Sequence, residues 1–386
     1  MATTQGTYPL ERITNLARKV EQYREILLSN LVLVGEIPAP SGQEEERINF
    51  ILEKFLQLGL ENCATDEIGN AVAILPGSKR KHSILLTAHV DVPFEITANH
   101  TYTLEENKVW GIGVADNSLG VATLLSLPIF LKKLNITLEN DLILLGAVKS
   151  LEQSNQEGLK FFLANTQKKP HCALLLEGSP LGRLNFRSMS TFGGQITCQI
   201  NRRLSEASAI EMICQIIQSL KTLPLAEEEH TVLTLGSIEG GASYKYPARS
   251  CNLKFQIRSN SDQTIKNLIQ KIYQILDNIS QHPGLSVHLK TIATSIAGGL
   301  NSSHPLVLKA RNIQEKLDIT PQDNIYSPVI SPFVEHNIPA LCLGLTNADN
   351  LHYLDEYIEI EPCSKGLAQL IGLLLLIDKE IDLCRT

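Results

Sequence analysis

His89 and Asp91 lie at the end of an apolar segment, residues 83–88, whose composition is typical of a buried strand. Successive side chains of a strand point to opposite faces, so a spacing of two places both side chains on the same side. An imidazole backed by a carboxylate is the usual arrangement of a metal-ligating histidine and the group that orients it. Later segments carry side chains suited to the same site, namely Asp116-Asn117, Glu152-Gln153, Glu177 and His352. Together these residues predict a metal-dependent hydrolase.

Each of these residues also has an ordinary structural explanation. The alternatives are a strand-capping role for His89, an N-cap role for Asp116, an ion pair of Glu177 with Arg183 or Arg187, two polar loop residues at 152–153 and a surface-loop position for His352. Taken singly, each alternative is competitive. Taken jointly they are not, because the residues follow one another at predicted strand ends, where open α/β sheets bind their ligands.

Two of these segments have features that favour catalysis. Asp116 lies in a glycine-rich segment, residues 110–120, directly before a helical stretch. A carboxylate there could bridge two metal ions, and the flanking glycines allow the unusual backbone that a bridge needs. The Asp116–Asn117 bond is a candidate non-proline cis peptide. Such bonds are rare, and those that occur cluster at functional sites. Glu152 follows a predicted strand and is well placed to act as general base on a metal-activated water.

The predicted elements bring these residues to the ends of strands. Apolar spacing predicts an opening helix over residues 10–34, and Ser41 followed by Glu44 is a capping-box signature for a second helix that ends near Gly59. Strands then alternate with helices, which indicates an α/β sheet with helices on both faces. The predicted strands cover residues 71–75, 83–88, 141–148 and 172–177, and the predicted helices cover residues 119–134 and 156–163.

The middle of the chain follows a different pattern. Its predicted elements occur in the order β-α-β-β-α-β, which is the split ferredoxin-like unit. The strands cover residues 194–200, 231–238, 250–258 and 285–292, and the helices cover residues 206–220 and 262–276. The first pattern resumes with a helix at 305–317 and a strand at 339–344. We therefore expect a larger domain, residues 1–184 and 301–386, interrupted by a smaller domain at residues 185–300.

The composition excludes several classes of protein. The 386 residues are 43% hydrophobic and 19% charged, and the length favours two globular domains. The net charge of −7, with no basic run longer than residues 79–81, argues against nucleic acid as a partner. The N-terminus has no signal-peptide pattern, and the longest strongly apolar run, residues 370–377, is too short to span a membrane. The eight cysteines form no Cys-x-x-Cys pair, so we expect reduced thiols and a cytoplasmic location.

The chain resembles a known family, the di-zinc exopeptidases that include peptidase T, carboxypeptidase G, succinyl-diaminopimelate desuccinylase and aminoacylase. The resemblance covers essentially the whole chain. It implies a three-layer α/β/α catalytic domain of the zinc-exopeptidase type, interrupted by a ferredoxin-like lid domain that often also makes the dimer contact. The segments that carry it are residues 38–44, 69–70, 87–91, 113–117, 240–241, 338–339 and 352–360, together with Arg258.

The resemblance also implies a set of metal ligands. His89, Asp116 and Glu177 would hold one zinc ion. Asp116 and His352 would hold a second ion, for which the family pattern expects a carboxylate where this chain has Gln153. An amide oxygen is a neutral and poorer zinc ligand than a carboxylate. We therefore expect one or two zinc ions, with the second site weaker than the first.

The remaining implied roles concern catalysis and substrate binding. Asp91 would orient His89, and Glu152 would be the general base. Two further departures fall on expected substrate-binding positions: residues 198–205 contain no histidine, and residues 241–247 lack the asparagine that follows the glycine pair. The candidate substrate-binding residues are Arg258, Arg203 and Lys245, with Arg202 as a further substitute.

These expectations lead to two hypotheses. The first is a hydrolase that cleaves peptide or N-acyl amino acid amide bonds with a metal-activated water and Glu152 as base, on small substrates and as a homodimer through the lid. The second is a catalytically impaired or inactive family member that acts as a binding or scaffold protein, because Gln153 replaces a ligand carboxylate. A mononuclear hydrolase lies between them, since His89, Asp116 and Glu177 leave the open position typical of catalytic zinc.

Overall fold

The computed structural model describes residues 11–151, 154–201 and 207–384. The chain divides into two compact units. The main unit extends up to Arg187 and resumes at Gly299, and the inserted unit spans Ser188–Gly298. The sequence places the inserted domain at residues 185–300.

The first part of the main unit alternates helices and strands. Its elements in chain order are α1 (Glu11–Glu21), α2 (Arg24–Gly35), α3 (Glu45–Gln57), β1 (Glu61–Thr65), β2 (Ala71–Leu75), β3 (Ser83–His89), β4 (Thr103–Glu105), β5 (Lys108–Trp110), α4 (Leu119–Lys133), β6 (Asp141–Ala147), α5 (Glu157–Asn165), β7 (Cys172–Glu177) and β8 (Leu184–Asn185).

Short strands lie at both boundaries of the inserted unit. The elements from the first boundary to the second are β9 (Arg187–Ser188), β10 (Ser190–Ile200), α6 (Ala209–Leu220), β11 (Val232–Gly240), β12 (Ser250–Ser259), α7 (Asp262–Ile279), β13 (Leu285–Ser295) and β14 (Gly298–Gly299). The main unit then continues with α8 (Pro305–Lys316), α9 (Ser331–Glu335), β15 (Ala340–Gly344), β16 (Ala348–Asp349), β17 (Tyr357–Glu359) and α10 (Cys363–Lys379).

The main unit is built on a seven-stranded sheet in the order β1-β2-β6-β3-β7-β15-β8. The central strands β6, β3, β7 and β15 are parallel, and the strands at both edges are antiparallel. Within β3, Ile84 and Leu86 pack on one face of the sheet, whereas Leu85 packs on the other. Helices α1–α4, α8 and α10 pack in the hydrophobic core on the face of Ile84 and Leu86, and α5 and α9 pack in the core on the face of Leu85. Because both faces are covered, the predicted three-layer α/β/α architecture is confirmed.

The opening helix differs from its prediction. The sequence predicts one helix over residues 10–34, but the structure has α1 and α2, separated at Gln22 and Tyr23. The break lets the two helices pack against different partners, α10 for α1 and α4 for α2. The apolar spacing predicts helical conformation correctly, but it does not show the break, because both segments carry apolar residues at helical spacing.

The predicted capping box at the start of the second helix is wrong. Helix α3 begins at Glu45 with no side-chain cap hydrogen bond. The Ser41 hydroxyl instead lies 2.8 Å from the hydroxyl of Ser154, and the Glu44 carboxylate accepts a hydrogen bond from the backbone N–H of Lys149. Both side chains therefore connect α3 to the loop after β6 rather than capping the helix.

One helical segment, Val114–Lys133, is long and apolar enough to cross a membrane. Its most apolar window is 89% buried within the protein. This burial places it in the core between other elements of the main unit, which is a common position for apolar helices of globular proteins.

The inserted unit has an antiparallel sheet in the order β11-β12-β10-β13. This order and the succession of elements are those of the predicted split ferredoxin-like unit. Helix α7 begins where the Ser261 hydroxyl accepts a hydrogen bond from the backbone N–H of Thr264. Its buried residues recur at helical spacing, and they pack with α6 on the sheet; they are Ile265, Leu268, Ile272 and Leu276.

Candidate metal centre

The carboxyl ends of two parallel strands position the first candidate ligands. Strands β3 and β7 are neighbours in the sheet, and they end at His89 and Glu177. Parallel strands end at the same edge of a sheet, so both side chains reach the same place. Gly178 follows Glu177, and a Cβ atom there would lie 2.1 Å from the backbone oxygen of Ala115. The missing side chain therefore lets the segment that carries Asp116 approach the strand end closely.

Asp116 lies between the two histidines of the candidate site. Its Oδ1 atom is 2.9 Å from Nε2 of His89, and its Oδ2 atom is 2.7 Å from Nε2 of His352. The residue belongs to a short π-helical turn, Val114–Ser118, but has non-helical backbone angles, and the Asp116–Asn117 peptide bond is cis as the sequence predicts. One carboxylate oxygen therefore faces each histidine, which is the arrangement expected of a bridging ligand.

Glu177 combines two explanations that the sequence leaves open. A ligand atom of its carboxylate lies within 4.8 Å of ligand atoms of His89 and Asp116, and this is the one such group in the part of the chain that the structure describes. Its Oε2 atom also lies 3.6 Å from the guanidinium of Arg183. Glu177 can thus contribute to a metal site while Arg183 compensates part of its charge.

Asp91 supports His89 and also anchors a loop. Nδ1 of His89 is hydrogen-bonded to the backbone oxygen of Asp91 at 3.0 Å, and the completely buried Oδ1 atom of Asp91 lies 3.3 Å from the same nitrogen. The Oδ2 atom of Asp91 accepts hydrogen bonds of 2.9 Å from the backbone N–H groups of Ser150 and Leu151. With Nδ1 turned towards Asp91, Nε2 of His89 is directed at Asp116, as in a carboxylate–histidine–metal arrangement.

The electrostatics of the group follow from this pairing. Burial opposes the charged form of His89, but hydrogen bonds with Asp116 and Asp91 outweigh it and raise the His89 pKa well above its ordinary value. Burial also opposes the charged form of Asp116, yet hydrogen bonds with His352 and His89 hold its pKa far below the usual range. Burial raises the pKa of the Glu177 carboxyl. Imidazole nitrogens and carboxylate oxygens collected around one point form a donor set that suits a divalent metal such as zinc.

The remaining predicted site residues lie in the inserted unit or outside the described residues. Glu152, Gln153 and Arg203 lie outside the described residues. Arg258 is an exposed residue of β12 in the inserted unit, paired in register with Thr191 of β10 and Val232 of β11. Lys245 lies on the exposed segment between β11 and β12, with its ammonium group 5.6 Å from the ring centre of Tyr244.

Two buried charged residues near the site are absent from the sequence-based predictions. Glu356 is fully buried, and its carboxylate accepts hydrogen bonds of 2.8–3.3 Å from backbone N–H groups of the segments around Asp116 and His352.

Arg47 is also fully buried, and burial lowers its pKa to about 10. Its guanidinium donates hydrogen bonds to the backbone oxygens of Gly35, Ile37 and Val90 and to the Ser118 hydroxyl. The local sequence does not single out either residue, because Arg47 follows three consecutive glutamates and Glu356 follows Asp355.

Comparison with known families gives two matches within the chain. Residues 191–282 match the peptidase dimerisation domain, and residues 70–209 match peptidase family M28. The first match lies in the inserted unit, and most of the second lies in the main unit.

Relatives and solved structures cover nearly the whole chain. The acetylornithine deacetylase of Klebsiella pneumoniae is 24% identical over 389 residues, which cover 92% of this chain and 98% of the relative. The di-peptidase Dug1p of Saccharomyces cerevisiae has a TM-score of 0.75 at 14% identity, covering 95% of this chain and 99% of that protein. A dinuclear metal-binding peptidase of the M20 family from Bacillus subtilis has a TM-score of 0.67 at 14% identity, covering 92% and 99%. The resemblance found in the sequence is therefore confirmed.

Proposed function

We propose that the chain is a metal-dependent hydrolase of peptide or N-acyl amino acid bonds and a member of the M20 family, because it matches the peptidase dimerisation domain and is similar over nearly its whole length to an acetylornithine deacetylase and to M20 peptidases. The observation that carries this proposal is the position of Asp116, with one carboxylate oxygen facing His89 and the other facing His352. A carboxylate shared in this way suits two metal ions, as in dinuclear hydrolases. Glu177 adds a further donor on the His89 side.

We propose zinc as the metal, because imidazole and carboxylate are its common ligands in hydrolases. His89, Asp116 and Glu177 would hold one ion, and Asp116 and His352 would contribute to holding a second. When bound, zinc lowers the pKa of water to about 7 and polarises a carbonyl group. Asp91 contributes by fixing the His89 ring so that Nε2 is presented to the ion.

The role of general base is proposed for Glu152 from its place in the sequence. Glu152 directly follows Leu151, whose backbone N–H is bound by Asp91 at 2.9 Å. The group that orients His89 thus also anchors the residue next to Glu152. A carboxylate near the site can take a proton from the attacking water and pass it to the leaving amine, as in general acid–base catalysis.

The proposed substrates are small molecules with an amide bond next to an amino acid. An N-acyl amino acid is supported by the relative of nearly equal length, which is an acetylornithine deacetylase. A short peptide is supported by the di-peptidase that shares the fold. Both classes place one amide carbonyl within reach of a compact metal centre.

A binding or scaffold function is the second candidate. The observation that favours it is Gln153, which stands where the family pattern expects a carboxylate ligand. Loss of that negative charge would weaken the binding of the second metal ion. Glu152 argues for the hydrolase instead, because a binding protein has no need for a general base beside the changed position.

Hydrolysis of N-acetyl amino acids and dipeptides, with and without a chelator, tests the proposal. We expect turnover that EDTA stops and that zinc restores. Glu152→Gln should lower turnover by about 10²–10⁴-fold, the usual contribution of a general base, without changing the far-UV circular dichroism. Glu53→Gln, at an exposed position of α3, is the matched control and should keep full activity.

Two outcomes would contradict this proposal. Unchanged turnover in Glu152→Gln would remove Glu152 as the base. A zinc-loaded protein that hydrolyses none of these substrates would favour the binding function, and equilibrium dialysis against the same compounds would then measure that function directly.

Assembly and location are part of the same proposal. We propose a homodimer through the inserted unit, supported by the match of residues 191–282 to a peptidase dimerisation domain. Light scattering after size-exclusion chromatography would measure it, and a monomer at micromolar concentration would contradict it. We also propose a cytoplasmic location, and the free thiols of all eight cysteines are consistent with it.

A further inference from the structure

We propose that Glu356 is a positioning residue that joins the two segments carrying Asp116 and His352, so that both candidate ligands keep the geometry needed to bind metal. This inference deepens the proposed function and rests on it, because it concerns the same candidate metal centre. Glu356 itself does not contact the ligand atoms of that centre in any hydrogen bond of its side chain. Its effect would therefore pass through the backbone.

The hydrogen bonds of Glu356 connect two distant parts of the sequence. Its Oε1 atom accepts bonds of 2.8 Å and 3.2 Å from the backbone N–H groups of Ala115 and Asp116. Its Oε2 atom accepts bonds of 3.3 Å and 3.1 Å from the backbone N–H groups of Gly113 and His352. Ala115 and Glu356 are 241 positions apart in the sequence. The Glu356 carboxylate therefore links the segment that contains Asp116 directly to the segment that contains His352.

The environment of Glu356 requires these partners. The residue is fully buried, and a buried carboxylate is costly unless hydrogen bonds replace its water. All four partners are donors, so the ionised carboxylate satisfies them and an amide in its place would direct its own NH₂ group at some of them. Replacing the Glu356 carboxylate by an amide would therefore leave some backbone N–H groups of the segments around Asp116 and His352 without an acceptor.

His352 depends strongly on its backbone for its position. Its φ angle is 68°, a left-handed conformation that non-glycine residues adopt at a cost. Its side chain is 58% exposed, so little packing holds the ring in place. The hydrogen bond from the His352 N–H to Glu356 fixes this conformation, and the ring then reaches Asp116 at 2.7 Å. We therefore expect that replacing Glu356 lowers the affinity for the metal ion on the His352 side most.

The chain offers a matched control for a buried carboxylate that binds backbone N–H groups. Asp378 is 2% exposed and accepts hydrogen bonds from the backbone N–H groups of Glu139 and Asn140, each at 2.8 Å or slightly longer. These residues precede β6, at the edge of the sheet where the parallel strands begin. The candidate metal centre lies at the opposite edge, where those strands end. Asp378→Asn therefore removes the same kind of contact without touching the centre.

The test compares wild type, Glu356→Gln and Asp378→Asn by competition with a chromogenic chelator for zinc and by urea unfolding of the metal-free proteins. We expect both variants to lose stability to a similar degree. Only Glu356→Gln should lose zinc affinity, by about 10–100-fold for the weaker ion, which is the effect usual for groups that orient ligands. Visible absorption of the cobalt-substituted protein should change in Glu356→Gln and stay the same in Asp378→Asn.

Glu356→Asp keeps the charge but shortens the side chain, and it serves if Glu356→Gln does not fold. It should also bind the weaker ion less tightly than wild type. Zinc affinities and cobalt spectra equal to wild type in a folded Glu356 variant would overturn the positioning role while leaving the proposed hydrolase intact. A wild type that binds zinc but hydrolyses nothing would overturn the hydrolase alone, and a wild type that binds no zinc would overturn both.

Discussion

The two histidines that face Asp116 lie in opposite environments. His89 ends a central strand, its side chain is 10% exposed, and the buried Asp91 lies 3.3 Å from its Nδ1 atom. His352 lies on the loop between β16 and β17, its side chain is 58% exposed, and its backbone is left-handed. The carboxylate of Asp116 therefore joins a buried half of the candidate centre, positioned by a strand, to an exposed half positioned by a loop.

For the proposed centre, this difference predicts two metal sites of unequal affinity. Charges attract more strongly where water is excluded, so an ion held by His89, Asp116 and Glu177 is stabilised more than an ion near His352. The described residues also provide a complete set of three donors only on the His89 side. We therefore expect the His89 side to fill first and the His352 side to exchange its ion readily.

Replacement of Asp116 should have the largest effect, because both halves share this residue. Asp116→Ala should remove both ions, lower each zinc affinity by more than about 100-fold and abolish hydrolysis. Elemental analysis after buffer exchange, together with turnover measurements, checks this. Retention of one zinc equivalent at wild-type affinity would show that Asp116 is not shared.

Separate replacement of the two histidines should then distinguish the halves. His89→Ala should remove the tight ion and abolish turnover, whereas His352→Ala should keep one tightly bound equivalent and lose the second. Zinc titration monitored by isothermal calorimetry would resolve the two affinities. The comparison of the halves would be wrong if His352→Ala lost the tight ion, or if both variants lost the same ion.

The features that could be predicted from sequence are those encoded locally. The apolar runs that end at His89 and Glu177 are strands because four to eight apolar residues bounded by polar ones suit a parallel sheet. The cis bond after Asp116 could be expected because such bonds cluster at functional sites and Asp116 is a candidate metal ligand. The helices and strands of the inserted unit follow from apolar periodicity of 3.6 and 2.

The features that could not be predicted depend on contacts between distant segments. Nothing near Glu356 in the sequence shows that its carboxylate meets the N–H groups around Asp116. The pattern of Ser41 and Glu44 fits a capping box, yet both side chains bind the loop after β6 instead. Local patterns state which groups are available for a bond, and the tertiary structure decides which partners they find.

A smaller effect is expected for the residue that orients His89. Asp91→Asn keeps one side-chain oxygen that can accept from the backbone N–H groups of Ser150 and Leu151 but removes the charge beside Nδ1 of His89. The tight ion should bind about 10–100-fold more weakly, while the affinity of the second ion changes little. Chelator competition on the zinc-loaded variant measures both. An equal loss at both ions would mean that Asp91 acts on the whole centre rather than on its buried half.

The smallest expected change is a gain, and it tests the weaker half directly. Gln153→Glu restores the carboxylate that the family pattern has at this position, which lies outside the described residues. The second ion should bind about tenfold more tightly, because an anionic ligand replaces a neutral one, and the tight ion should be unaffected. If turnover rises together with this affinity, the wild type is a hydrolase limited by its second ion. If affinity rises while the protein still hydrolyses nothing, the weak half is not what prevents catalysis, and the binding function becomes the better explanation for a chain that keeps Glu152. Asn155→Asp, two residues further along the same loop, adds the same charge and should reproduce neither change if ligation rather than net charge is responsible.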